Sequence, residues 1–496
     1  MLPELKKFLK HSFIYGIGAL LSKIVGFLMI PIYTRYLTTT DYGILELLDL
    51  TSSIVSIFIS MRIGAAVIRF YYDFDNEQEK KQVIGTAYIS IFFSAILLIV
   101  ISELTSNKIS YLLFDTQIYE KYFKIIFITT ALTLISSIPD AYLIARKQSL
   151  FYTFMSLISL VSNLSFNIYF IVFLKLGVLG VLYSSLITRL WYCPFLSIYC
   201  IYKNKLFFSF PIFKSMLKFS LPLIPANVGT FILNYADRFI LQKLSITAEV
   251  GIYALGYKFG YMLPVLVMGP INMIWGPQMF ELASKSEKKT IERMFTYIML
   301  ILIFCGLGLI LFTKDAIRIM AAPPFYPAYK VVGFVVLGYI FRGMASFFWD
   351  GIMVSKKTIY IGISVFVSAL SNILLNILLI PQFKGMGAAY ATAVSFFIMF
   401  CLVYFFCQKV YPISCEWNRI SKITIVSLFI FFLAHLVSSQ NLIISLLIKI
   451  IFLVSFPVLL YFLGFYVPEE INKIRYLIFL LFNKLRRMIN TDIGIF

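Results

Sequence analysis

Charge is scarce in this chain. Of its 496 residues only 13% are Asp, Glu, Lys or Arg, where a soluble protein would have roughly a quarter. Histidine occurs only as His11 and His435, neither at ligand spacing from a cysteine, so no zinc site is expected. The six cysteines, Cys193, Cys200, Cys305, Cys401, Cys407 and Cys415, form no framework. Five lie inside apolar runs and one in a short loop, which predicts buried, reduced thiols rather than disulfides. Long hydrophilic segments are missing too. The largest candidates for one side, near 105–121 and 313–330, leave no room for a folded extramembrane catalytic domain.

What is present is apolar. Hydrophobic residues make up 60% of the chain and mean hydropathy is +0.90. They come in uninterrupted runs that no aqueous core requires. A spanning helix takes about 20 residues at ~1.5 Å rise each. That ruler gives about fourteen spans, beginning near Ser12, Gly43, Val83, Tyr122, Tyr152, Val178, Leu217, Val250, Phe295, Val331, Thr358, Gly387, Ile420 and Leu442. The run 12–33 follows a basic start, but it is long enough to span and lacks a small-x-small cleavage site. It reads as the first transmembrane helix rather than a signal peptide. After Pro468 a short apolar stretch, 476–482, flanked by basic residues predicts an interfacial amphipathic helix.

The net charge of +20 does not signal nucleic acid, because the cations punctuate the ends of apolar runs instead of forming a patch with interleaved aromatics. One set of alternate loops, together with both termini, holds 26 Lys and Arg and the other set holds 10. This bias places both termini in the cytoplasm.

The chain repeats itself. Ser162-Asn163-Leu-Ser-Phe-Asn167 is echoed by Ser371-Asn372-Ile-Leu-Leu-Asn376 at an offset of 209, and Thr39-Thr-Asp-Tyr-Gly43 by Thr247-Ala-Glu-Val-Gly251 at 208. An offset of six helices returns the chain to the same side, so the halves share one orientation, as in transporters built from parallel repeats. The expected organisation is an N-lobe over 1–205, a C-lobe over 206–410, two added helices over 411–467 and a cytoplasmic tail over 468–496, with a cavity between the lobes.

Ionisable groups inside a bilayer cost about 2.5–3.5 kcal/mol each on insertion scales and so mark functional candidates. The deepest here are cations: Lys23, Arg189, Lys258 and Arg342, with Arg62 nearer a helix end. Lys23 shares its face with Gly16, Ala19 and Gly26; Lys258 with Gly251 and Ala254; Arg342 with Gly338, Ala345 and Ser346. Small neighbours point these faces into the bundle. Two readings stand: ion pairs with Glu46, Asp49, Asp140, Asp237 or Asp350, or a site for an anionic substrate such as a phosphate. Asp237 and Arg238, adjacent on a helix and about 100° apart, are not expected to pair with each other. Glu46 and Asp49, at i and i+3, either bind a coupling cation or proton or pair with Arg35 or Lys258. Pro264, Pro270 and Pro277 among four glycines predict a kinked eighth span and, with Lys258 on it, a gate at Pro264 and Pro270.

The run Leu221-Pro222-Leu-Ile-Pro225 through Asn234-Tyr-Ala-Asp237-Arg238 resembles the seventh helix of the polysaccharide-transporter branch of the multidrug/oligosaccharidyl-lipid/polysaccharide (MOP) exporter superfamily. Asn372 to Pro381 with Gly385-Met-Gly387 is similar to that branch's junction of helices eleven and twelve, and Tyr36-Leu37 with Asp41-Tyr42-Gly43 to its first external turn. The resemblance covers essentially the whole chain. It implies a Wzx-type flippase, a transporter and not an enzyme. The substrate would be an undecaprenyl-diphosphate-linked repeat unit of O-antigen, capsule or exopolysaccharide, moved across a bacterial inner membrane by alternating access. The resemblance also implies a cationic central cavity for the diphosphate, carried over to Lys23, Lys258, Arg62 and Arg342. No cofactor is implied beyond a coupling ion, H+ or Na+. The expected partners are the lipid-linked oligosaccharide, membrane lipids, and the polymerase and chain-length proteins of the same pathway. The alternatives are a lipid II flippase, which has more arginine in its first two helices, and a multidrug antiporter, which would place carboxylates where this chain places cations.

Overall fold

The computed structural model describes residues 26–437 and 441–472. The expected first span lies largely outside them, Lys23 included, as does the apolar stretch of the tail. Among the described residues every regular element is a helix. They are α1 (Ile30–Tyr36), α2 (Thr39–Ile59), α3 (Ile63–Asp73), α4 (Glu77–Phe114), α5 (Glu120–Ala145), α6 (Ser149–Ile168), α7 (Val178–Asn204), α8 (Phe210–Ser220), α9 (Leu223–Leu244), α10 (Thr247–Gly260), α11 (Gly269–Ser284), α12 (Lys288–Met320), α13 (Tyr329–Val354), α14 (Ile359–Phe383), α15 (Gly385–Val410), α16 (Trp417–Leu436) and α17 (Leu442–Phe462). Each expected span from the second onward coincides with a helix. Among the described residues eleven helices are long and apolar enough to cross a membrane, and a twelfth is added if α8 and α9, bent by 41° at Leu221–Pro222, are one span. This is an all-α, multi-pass membrane protein.

Local chemistry sets the element ends. Thr38 caps α2 through a reciprocal capping box with Asp41. Asn76 caps α4, which starts in a charged turn well before its apolar run and continues for 38 residues. Two interruptions are π-helical, Tyr169–Phe173 and Pro264–Met268. In the second, Pro264 supplies no backbone donor and the helix takes the wider turn, so the expected irregularity of the eighth span is real.

The repeat is visible in backbone and hydrogen bonds. Lys147 and Lys356 both have φ +58°, and Lys175 and Lys384 have φ +53° and +50°; each pair is 209 residues apart. Asn167 Nδ2 donates to the carbonyl and side-chain oxygens of Asn163, both at 2.9 Å. Asn376 does the same to Asn372, at 2.8 and 3.0 Å.

Two compact units result. Among the described residues the first comprises 26–261, 316–342 and 358–403. In it α4 packs on α5, α5 on α7, α2 on α10 and α9 on α14, around an apolar core that includes Leu48, Ala87, Phe123, Phe127 and Ile138. The second comprises 262–315, 343–357, 404–437 and 441–472. There Trp275 stacks on Phe347 at 4.7 Å, and Lys449 Nζ meets Asp315 Oδ2 at 2.5 Å, joining α17 to α12. The cysteines are all free, but only Cys193, Cys200 and Cys407 are buried; Cys401 is exposed. Large apolar side chains face outward along most helices, Phe93, Leu104, Ile198 and Phe366 among them, as a lipid-facing surface requires.

Candidate functional site

The site lies in the first unit, where α2, α9, α10 and α13 bring charge together. Arg238 on α9 is its most buried member, at 1% exposure. Its Nη1 meets Asp237 Oδ1 at 2.7 Å and its Nε faces Glu46 Oε1 on α2 at 3.6 Å. Its guanidinium covers the Tyr257 ring at 3.8 Å. Tyr253 donates to Asp237 Oδ2 at 2.5 Å, and Thr392 on α15 donates to the same oxygen at 3.4 Å. Two expectations are corrected here. Asp237 and Arg238 do pair, because an arginine stem is long enough to swing its head round the helix even though the Cβ atoms diverge. Glu46 pairs with Arg238 rather than with Arg35 or Lys258.

Lys258 on α10 is exposed within a ring of buried neighbours. It donates to the Tyr42 hydroxyl at 2.9 Å, lies 4.7 Å from that ring, and has Glu46 and Asp49 as electrostatic neighbours. Arg342 on α13 donates to Asn234 Oδ1 at 2.6 Å and stands over Phe396 at 5.3 Å. Arg189 on α7 stands over Tyr192 at 5.3 Å. Arg62 does not sit inside the second span: α2 stops at Ile59 and Arg62, at φ +56°, occupies an exposed left-handed turn before α3. Among the described residues none of Lys258, Arg342, Arg189 and Arg62 has a carboxylate oxygen within 4.0 Å, unlike Arg238.

Beside this cluster α2, α5, α6 and α7 line an open cavity of about 580 Å³. Asp49, Asp140 and Arg189 line it with Tyr152, Tyr192 and a set of serine and threonine hydroxyls. Tyr192 donates to Asp140 Oδ1 at 2.9 Å. The structure thus gathers Asp49 and Arg189 in one cavity and brings Glu46 and Lys258 close to Asp49. Arg342 joins the cluster through Asn234, whose backbone carbonyl also accepts from Arg238, while Pro264 and Pro270 belong to the second unit. Among the described residues no group of three His, Cys, Asp or Glu converges as a metal site. Asp140, weighed in the sequence only as a partner for a cation, turns out to be a wall of the cavity. The serine and threonine spacing of α2 and α5 was the available signal for it.

Helices of this length around a polar cavity define a multi-pass membrane protein with a polar cleft among its helices. Residues 32–328 match the family described as "Polysaccharide biosynthesis protein", and the chain belongs to that family. An uncharacterized membrane protein of Haemophilus influenzae is 26% identical over 57% of this chain and 67% of its own length. The Lsg locus putative protein 1 of the same organism is 27% identical over 58% and 69%. The probable low-salt glycan biosynthesis flippase Agl15 of Haloferax volcanii is 23% identical over 44% of this chain and 47% of its own. Among solved structures the fold matches the lipid II flippase MurJ in an inward closed conformation, with a TM-score of 0.73 at 17% identity, over 91% of this chain and 99% of that one. It also matches an inward-facing multidrug resistance MATE family transporter of the MOP superfamily, at 0.64 and 10% identity, over 78% and 94%.

Proposed function

We propose that the chain is a flippase that carries an undecaprenyl-diphosphate-linked oligosaccharide from the cytoplasmic to the outer leaflet of a bacterial inner membrane, by alternating access, for surface polysaccharide assembly. One observation carries the reading: among the described residues, cations with no carboxylate oxygen within 4.0 Å and a polar cavity of about 580 Å³ lie among largely apolar helices. A diphosphate cannot cross hydrocarbon unaided, since the idealised cost of burying even one such charge is of order 20 kcal/mol. Lys258, with Lys23, Arg62, Arg342 and Arg189 as further candidates, replaces lost hydration. Spread cations also suit a substrate that must leave again. The family and the glycan-flippase relative support this substrate class. In this reading Glu46 and Asp49 are candidates for coupling to H+ or Na+, the Pro264–Pro270 segment flexes as a gate, both termini are cytoplasmic, and polymerase and chain-length proteins act downstream. The chain moves its substrate and makes no covalent change to it.

The test uses the purified chain in liposomes with a labelled undecaprenyl-diphosphate sugar, reading the fraction that reaches the opposite leaflet. Transport by wild type and its loss in Lys258→Ala and Arg342→Ala, both inserted normally, are expected. Normal transport by both variants would sink the anion-site mechanism. Transport of lipid II alone would favour the peptidoglycan alternative.

A further inference from the structure

The cavity among α2, α5, α6 and α7 is lined by hydroxyls, the Asn163 amide, two carboxylates and one guanidinium. A hydroxyl has one proton, and in this cavity several are already in use. Thr129, Thr130 and Thr133 donate to carbonyls one turn back at 2.7–2.8 Å, and Thr188 donates to the Ser184 carbonyl at 2.7 Å. With the Thr130 proton engaged, the 2.6 Å contact to Ser52 is filled by the Ser52 proton. Tyr192 gives its proton to Asp140. What these groups still offer is lone pairs. Two carboxylates, Asp49 and Asp140, add more, against the single guanidinium of Arg189. A diphosphate is mismatched to walls that carry two carboxylates and one guanidinium. A ligand rich in hydroxyl groups, which both donate and accept, fits them. The volume is that of a cavity for a compact ligand, within the usual range of about 300–1,000 Å³.

We infer that this cavity is the carbohydrate subsite: it takes the donor-rich sugar of the lipid-linked substrate, while the diphosphate stays outside it with Lys258. The placement agrees, because α2 carries both Asp49 in the cavity wall and Tyr42, whose hydroxyl accepts from Lys258 at 2.9 Å. The sugar and its diphosphate would lie along that helix. The inference rests on the flippase reading.

Binding to the purified full chain separates the two. The probes are undecaprenyl diphosphate alone and the same lipid bearing N-acetylglucosamine, galactose or glucose, measured by native mass spectrometry. Wild type should bind at least one glycosylated lipid about tenfold more tightly than the bare one, the worth of one charge-assisted hydrogen bond. Asp140→Asn should erase that preference and leave the bare lipid unaffected. Thr133→Val, a milder change in the same wall, should reduce the preference and carries the test if Asp140→Asn does not fold. Equal binding of glycosylated and bare lipid overturns the subsite and leaves the flippase reading standing. A preference that survives both substitutions, with Asp140→Asn altering only the response to Na+ or pH, also overturns it and makes the cavity a cation site. Failure of every lipid to bind removes both readings.

Discussion

Gly43 and Gly251, equivalent positions in the two repeats, press against each other. A Cβ on Gly43 would lie 2.2 Å from the Thr247 carbonyl oxygen, and one on Gly251 would lie 2.0 Å from that of Thr39. α2 and α10 therefore cross in backbone contact at these two glycines. One turn further on Glu46 of α2 meets Arg238, and Tyr42, beside Gly43, holds Lys258. The close crossing is what places these charges together.

Gly251→Ala should therefore destabilise the chain by about 1–3 kcal/mol, the usual range for overpacking, because the obstructing atoms are backbone and cannot swing away. Gly362, in α14 with nothing within 4 Å of its Cβ position, is the control. Gly362→Ala should be neutral or stabilising by up to about 1 kcal/mol. Thermal unfolding of the purified variants measures both. Equal unfolding temperatures for the two would refute the crossing.

At Lys258, charge and hydrogen bonding can be separated. Tyr42→Phe removes the hydroxyl that Nζ leans on at 2.9 Å and keeps the ring, so transport should fall by about tenfold or less. Lys258→Met should abolish it, and Lys258→Arg should keep part of it. If Tyr42→Phe is as damaging as Lys258→Met in the liposome assay, orientation rather than charge is what the site requires.

Much of the fold was legible because a bilayer imposes its thickness on the sequence. The apolar runs from Gly43 onward each became a helix. Edges were less legible: α4 begins at Glu77, ahead of its apolar run, because Asn76 caps a charged turn that composition alone reads as loop. The repeat was legible as paired asparagines and returned as paired hydrogen bonds. The site was only partly so. Small neighbours singled out Lys258 and Arg342 on one helix face each, but Asp49, Asp140 and Arg189 meet from α2, α5 and α7, and no spacing within one helix encodes that. Arg238 was passed over because a rule about Cβ directions does not describe a side chain long enough to bend back.

Glu470, after α17 and outside the spans, gives a pH prediction. Burial would raise its pKa, but hydrogen bonds from Tyr297, the Val467 N–H and Arg419 outweigh it and hold the carboxyl below the ordinary 4.5. Arg419 reaches both its oxygens, at 2.9 and 3.0 Å. With the folded value below the unfolded one, the charged form stabilises the protein. Its contribution is complete above about 4.5 and disappears as pH falls through the lower folded value. The unfolding temperature of wild type should drop more steeply in that acid range than that of Glu470→Gln. Parallel curves would show that this contact contributes nothing.

Arg238 offers the sharpest test of what holds α2, α9 and α10 together. Its guanidinium is 1% exposed and is balanced by Asp237 at 2.7 Å and Glu46 at 3.6 Å. Removing one partner of such a buried pair leaves the other charge uncompensated, which costs about 3–5 kcal/mol, whereas replacing both is often neutral. Arg238→Met should thus lower stability strongly by stranding Asp237, whose remaining partners, Tyr253 and Thr392, are neutral donors. Asp237→Asn combined with Arg238→Met should recover most of the loss, because the amide oxygen still accepts from Tyr253 and no charge is left behind. Glu46→Gln alone should cost little, since its contact is longer and its side chain is 14% exposed. A double-mutant cycle on thermal unfolding gives the coupling directly. If the double variant is as unstable as Arg238→Met, the arginine acts by packing against Tyr257 rather than by neutralising Asp237. The helices would then be held by the aromatic contact and the glycine crossing alone.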